Sequence, residues 1–240
     1  MLNLVGAIAG MIAISVNLVG FTSVLPGTLR LRLSAAAIAG AWVGLATELG
    51  AADRLAFSPE HPVPLVAVLV AVPLLVMGAL TLTSPKVRST LLAIPMSLLI
   101  GVNALRVFGV LFLLLAAAGR LSGPFPFSAG FGDIITGALA VPLALSVVQS
   151  HGLPVGAIKR WNIFGALDLL FAIGFGVTSA AGSPLQLIHA GAGSEAMQHL
   201  PFCLVPTVLV PFYLMTHAVI AMQLSARAAP SAQVRAVAGA

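Results

Sequence analysis

Charged side chains are scarce in this chain, and four of the groups able to carry charge sit inside its apolar stretches: Arg106, Asp133, Asp168 and His217. An isolated ion at the centre of a bilayer costs roughly 2.5–3.5 kcal/mol on insertion scales, so such residues pair with one another or line a polar cavity. The chemistry open to them is proton relay and the binding of an ion or a small solute. Arg106 with Asp168 is the expected ion pair, and His217 is the expected relay group. Asn103 stands three residues before Arg106, and Tyr213 four before His217, so each helix presents a polar stripe. Two readings of the pair stand side by side: a site whose carboxylate changes protonation during a transport cycle, and a staple between two helices.

Asp133 closes the run Gly130-Phe131-Gly132-Asp133, with Thr136 one turn on and Pro124 and Pro126 before it. Read as the outer end of a span, it forms with Glu48 an acidic mouth that attracts cations, or it complements the dipole of its own helix. His61, His189 and His199, with Glu60 and Glu195, fall in loops on one side and are the weak candidates for a surface metal site. No HExxH or paired-histidine spacing accompanies them. His217 is the one histidine clearly inside a span, and hence the candidate axial ligand if a haem is bound. The sequence itself requires no cofactor. Cys203 is the single cysteine, which excludes an intramolecular disulfide and CxxC sites. No GxSxG elbow or other nucleophile-and-base motif is present, so no catalytic residues are assigned.

The elements that hold these residues are membrane spans. The chain of 240 residues is 60% hydrophobic and 7% charged, with a mean hydropathy of +1.12, far from the roughly 25% charged content of soluble domains. Its net charge of +5 is spread in ones and twos between apolar runs, which excludes a nucleic-acid-binding patch. Cutting the chain at its charges, prolines and polar clusters leaves seven stretches near the length of about 20 residues that a span needs: 2–25, 34–52, 63–82, 94–118, 128–148, 161–180 and 201–223. The first is too long for a signal-peptide core and has no basic leader, and reads as an uncleaved span.

Loop charges alternate in step with this division. Arg30 and Arg32, Lys86 and Arg88, Lys159 and Arg160, then Arg227 and Arg235 share one side, which the positive-inside rule makes cytoplasmic. The N-terminus is then outside and the C-terminus inside. At about 1.5 Å per residue, Arg106 lies roughly 18 Å from the inner end of its span, Asp168 roughly 10 Å and His217 roughly 9 Å, a meeting point in the inner half of the bundle.

Gly6 with Gly10, and Gly40 with Gly44, have the GxxxG spacing of close helix packing. Residues 183–200 read as a surface-lying segment capping the outer face. The segments from His61 and from His199 align at Val70/Val208, Val72/Val210, Pro73/Pro211 and Met77/Met215, consistent with a parallel duplication of three spans around a fourth. That layout resembles the topology of the SWEET sugar carriers, although the Pro-Gln motif of such carriers is absent. Microbial rhodopsins also have seven spans, but the only lysines here, Lys86 and Lys159, lie at the inner surface, which excludes a retinal Schiff base.

The sequence therefore predicts an all-α integral membrane protein. It is a bundle of about seven helices over residues 1–225 with a flexible cytoplasmic tail at 226–240, in the plasma membrane of a bacterium. The expected function is small-solute or proton- or ion-linked transport through a polar pathway at Arg106, Asp168, His217, Asn103, Tyr213 and Asp133. The alternatives are a haem-type redox subunit built on His217 and a non-transporting assembly or sensory subunit. Expected partners are the bilayer, a small solute or ion, and a second copy or a membrane complex; nucleic acid is not among them.

Overall fold

The computed structural model describes residues 1–58, 63–149 and 153–238. Among them the regular elements are helices, and seven are long and apolar enough to cross a membrane. In chain order these are α1 (Leu2–Ser23), α2 (Leu29–Ala51), α3 (Leu65–Thr83), α4 (Met96–Ala117), α5 (Phe125–Gln149), α6 (Val155–Thr178) and α7 (Val205–Ala228). All seven predicted spans are present, with boundaries moved where charge or proline had been read as a stop. Helix α2 starts at Leu29 because the Thr28 hydroxyl accepts from the Leu31 amide at 3.3 Å, and it takes Arg30 and Arg32 into its first turn. Helix α6 starts at Val155 and carries Lys159 and Arg160, whose long stems let the charges reach the interface. The helix of α7 continues to Ala238, beyond the end read from hydropathy.

The connections sort to two ends of the bundle. At one end the Arg120 guanidinium donates to Asn3 at 2.6 Å, the Phe57 amide donates to the Gln198 side chain at 2.8 Å, and the Gly193 amide donates to the Ser122 hydroxyl at 2.7 Å. At the other, the Gln223 amide donates to the carbonyls of Leu91 and Ile94 at 3.3 and 2.8 Å. The basic segments at 30–32, 86–88 and 159–160 lie at this second end, as the alternation of loop charge requires. The segment 183–200 does not merely lie on the surface: Ala196, Met197 and Gln198 are buried in the bundle, while Leu185 and Leu187 stay exposed.

Large apolar side chains cover much of the outer surface, and polar groups lie enclosed among the apolar clusters of the interior, unlike a soluble domain. Ile38, Leu75 and Leu82 are exposed, whereas Asn103, Arg106, Thr136 and His217 are almost wholly enclosed. Helix α7 is the axis of the bundle, with 61% of its most apolar stretch buried against 11% for α2 and α3. Gly40 and Gly44 of α2 have no neighbour within 4 Å of an added Cβ among the described residues, while Gly6 of α1 packs on Phe202.

Helices α4 and α5 lie closest of all. A Cβ added at Gly137 falls 2.6 Å from the Val107 amide nitrogen and 3.0 Å from the Ala104 carbonyl. The facing stretch of α4, Val102–Gly109, is wound as a 3-10 helix, a tightening that often marks a functional or strained segment. Two π-helical segments, Ser15–Gly20 in α1 and Val205–Leu209 in α7, complete a set of irregular turns. Gly137→Ala presses a methyl group onto the α4 backbone, and a loss of about 1–3 kcal/mol is expected from such overpacking. Gly174→Ala, where nothing lies within 4 Å, is expected to be neutral or slightly stabilising. Thermal unfolding in detergent compares the two; equal stability of both variants contradicts the close α4–α5 contact.

Candidate functional site

Arg106 sits in the 3-10 stretch of α4 and is 2% exposed. Its Nε donates to Asp133 Oδ1 of α5 at 2.7 Å, and its Nη2 donates to Asp168 Oδ2 of α6 at 2.5 Å. Its Nη1 donates to the Gly165 carbonyl at 3.2 Å and lies 3.1 Å from His217 Nε2 of α7. One guanidinium thus ties four helices together, a task suited to its rigid fork of five donors. The expected Arg106–Asp168 pair is present. Asp133 joins the same arginine and does not stand apart at an outer mouth, and Glu48 is exposed and takes no part.

The tautomer of His217 follows from its partners. A guanidinium can only donate, so Nε2 accepts, and the proton resides on Nδ1, which donates to Asn162 Oδ1 at 2.8 Å. The Asn162 amide in turn donates to the His217 carbonyl at 3.1 Å. Trp161, the next residue on α6, lays its ring 5.2 Å from the imidazole and donates from Nε1 to the Thr136 carbonyl of α5 at 3.0 Å. His217 is thus held neutral, with both ring nitrogens engaged.

Tyr213 presents its ring face to Arg106, 5.7 Å from the guanidinium carbon to the ring centroid, a cation–π contact. Its hydroxyl accepts from Asn17 Nδ2 at 2.6 Å, which brings the π-helical turn of α1 into the arrangement. Asn103 is one step removed: its amide donates to the Leu99 carbonyl at 2.9 Å and to Thr216 Oγ1 at 3.2 Å. Three buried polar atoms in this region, Asn17 Oδ1, Asn103 Oδ1 and Thr136 Oγ1, have no hydrogen-bond partner among the described residues.

The site lies near the middle of the helices that carry it. Taking about 1.5 Å per residue, Asp133 is roughly 12 Å from the start of α5 at Phe125 and Asp168 roughly 20 Å from that of α6 at Val155. Both helices start earlier in the chain than the predicted spans at 128 and 161. Glycines clear the space: an added Cβ at Gly132 falls on the Asp168 carboxylate, and one at Gly165 falls 2.6 Å from His217 Cε1.

Two cavities meet at Asp133. A cavity of about 110 Å³ lies among α3, α5, α6, α7 and the segments around Phe57 and Met197, and a smaller one of about 60 Å³ lies among α1, α4 and α7 beside Arg106 and Tyr213. Asp133, Phe112, Leu169, Val205 and Val210 border both. Asp133 is the charged residue in the lining of the larger cavity.

The loop histidines form no comparable centre. His199 Nδ1 lies 3.2 Å from Asp53 Oδ1, His189 is exposed, and His61 is outside the described residues. Among the described residues no three potential metal ligands cluster.

Asn17, Asn162 and Trp161 were not anticipated from the sequence, whereas Asn103 was. The available signal is the 3.6-residue periodicity of α6, in which Ile158, Trp161, Asn162, Gly165, Asp168 and Leu169 share the buried face.

Fold and site together define a polytopic helical membrane protein with a buried charge cluster at its core. The chain belongs to a family described as a domain of unknown function, DUF8737, whose model matches residues 63–225. The matched region contains α3 to α6 and most of α7, and hence Arg106, Asp133, Asn162, Asp168 and His217, while α1 with Asn17 lies outside it. No curated protein and no solved structure matches the chain.

The arrangement makes a graded prediction for stability. Arg106→Leu leaves two carboxylates buried without a counter-ion and is expected to cost about 3–5 kcal/mol or to prevent folding. Asp168→Asn leaves one arginine with one aspartate and keeps an acceptor for Nη2, so a clearly smaller loss is expected. Denaturant titration in mild detergent measures both; equal losses contradict the two-carboxylate arrangement.

Proposed function

We propose that the protein is a proton- or cation-linked carrier of small solutes whose coupling site is Arg106 with Asp133 and Asp168. The supporting observation is a count of charge at mid-depth. One permanently charged guanidinium faces two carboxylates, and the neutral His217 adds nothing. With both carboxylates ionised, the cluster carries one negative charge in excess, and an uncompensated buried charge is costly. A proton or another cation therefore belongs to the cluster, and its exchange across the bilayer is the elementary step of coupled transport. Cavities on both sides of Asp133 and the irregular turns of α1, α4 and α7 around it suit a site that changes its access. The end of the bundle bearing Arg30, Lys86 and Lys159 faces the cytoplasm in this reading, in a bacterial plasma membrane.

The haem-type reading fits less well. His217 commits one ring nitrogen to Arg106 and the other to Asn162, so axial ligation needs the charge cluster to be broken first.

Proteoliposomes enclosing a pH indicator and holding an imposed proton gradient test the proposal. External amines, carboxylates, sugars and alkali cations are added in turn, and protein-free vesicles give the background. At least one class is expected to discharge the gradient above that background, and Asp168→Asn protein that elutes as a folded species is expected to lose the effect. A gradient held against every class, or discharged equally by Asp168→Asn, contradicts the coupling role.

A further inference from the structure

We infer that the cavity of about 110 Å³ beside Asp133 is a binding site for a small organic ammonium ion, whose charged head takes the place of the cluster's exchangeable proton. This rests on the reading of the cluster as a solute site and names the class of solute. The first ground is the chemistry of the wall. Apart from Asp133 the lining is mainly apolar, and it includes the rings of Phe57, Phe112 and Phe125. The polar side chains that reach it have partners of their own: Ser183 accepts from the Leu185 amide at 3.2 Å, Ser194 donates to the Gly176 carbonyl at 2.6 Å, and Gln198 accepts from the Phe57 amide at 2.8 Å. Sugars and other polyhydroxylated solutes find few donors and acceptors here. A carboxylate solute is repelled by Asp133, the one charged residue of the lining among the described residues.

The second ground is Asp133 itself. Its Oδ1 is held by Arg106, its side chain is 15% exposed, and it forms part of the cavity wall. An ammonium group reaching Asp133 gains a charge-assisted hydrogen bond, and aromatic rings stabilise organic cations at their faces. The third ground is size. A cavity of about 150 Å³ lined by aliphatic and aromatic groups accommodates benzene, so the apolar body of this solute is smaller, a short alkyl or small cyclic group.

The charge count makes the exchange explicit. The groups facing Asp133 are Arg106 from α4 and Asp168 from α6, and behind them stand Tyr213 and the neutral His217 from α7. Without solute, the excess negative charge of the two aspartates is met by one proton. When the ammonium ion binds, that proton leaves, and the charge of the cluster is unchanged. Binding therefore strengthens as pH rises while the amine stays protonated.

The test uses full-length protein in detergent and three probes of one size: n-butylamine, n-butanol and butyrate. Calorimetry in two buffers of different ionisation enthalpy reads both affinity and proton release. n-Butylamine is expected to bind about tenfold or more tightly than n-butanol, the worth of one charge-assisted hydrogen bond, with close to one proton released; butyrate is expected not to bind. Asp133→Asn is expected to abolish the preference for the amine. Ala172→Phe, which fills the cavity without changing a residue of the ion cluster, is expected to abolish binding of all three, and it decides the matter if Asp133→Asn does not fold. Equal binding of amine and alcohol, amine binding without proton release, or amine binding undiminished by Ala172→Phe overturns the assignment. Discharge of the vesicle gradient by another solute class while n-butylamine fails to bind overturns the amine assignment and leaves the carrier reading intact. Binding with proton release but no gradient discharge supports the amine site and overturns the carrier reading.

Discussion

A guanidinium does not release its proton inside a protein, and Arg106 lies ten residues into a membrane-crossing helix, beyond the reach of either interface. That single charge sets the terms for everything packed around it. It needs acceptors in several directions at once, and the bundle provides them from three other helices: Asp133 of α5, Asp168 and the Gly165 carbonyl of α6, and His217 of α7. Association of spans within a membrane has little hydrophobic drive and depends on packing and interhelical hydrogen bonds. The arginine is therefore as much the organiser of the bundle as a component of its site.

The local irregularities follow from the same demand. Bringing two short aspartate side chains to one guanidinium requires the α4, α5 and α6 backbones to approach closely, and Gly132, Gly137 and Gly165 remove the methyl groups that stand in the way. The 3-10 winding of Val102–Gly109 belongs to the same contact, since Arg106 and Gly109 both turn toward α5 there. Asn17, in a π-helical turn of α1, extends the polar region through Tyr213. The cavities lie where these irregular turns leave imperfectly filled space next to a carboxylate.

Much of this was legible in the sequence. The spans were, because apolar stretches of 19–25 residues separated by charges have few other uses in a chain this hydrophobic. Arg106 with Asp168 was, because charge inside such a stretch needs a partner. Asp133 was misjudged for a definite reason: Gly130-Phe131-Gly132 after two prolines resembles the start of a helix, yet Pro126 is accommodated in the first turn of α5, where proline lacks only an amide that has no helical partner. Lys159 and Arg160 read as a loop, yet they ride on the first turns of α6, so Asn162 lies inside the helix and not at its mouth. The pairing of Asn17 with Tyr213 joins residues 196 positions apart and depends on which helices are neighbours, information that hydropathy and spacing do not contain.

The central claim is that the Arg106 cluster holds one exchangeable positive charge because two carboxylates share one guanidinium. Infrared difference spectroscopy of the reconstituted protein across a pH step tests it most directly, by following the carbonyl stretch of a protonated carboxylic acid in the wild type, Asp133→Asn and Asp168→Asn. A band titrating in the wild type and absent from both variants is the predicted result, since removing either carboxylate balances the arginine with the other. A wild type without such a band, or one that persists in both variants, contradicts the account.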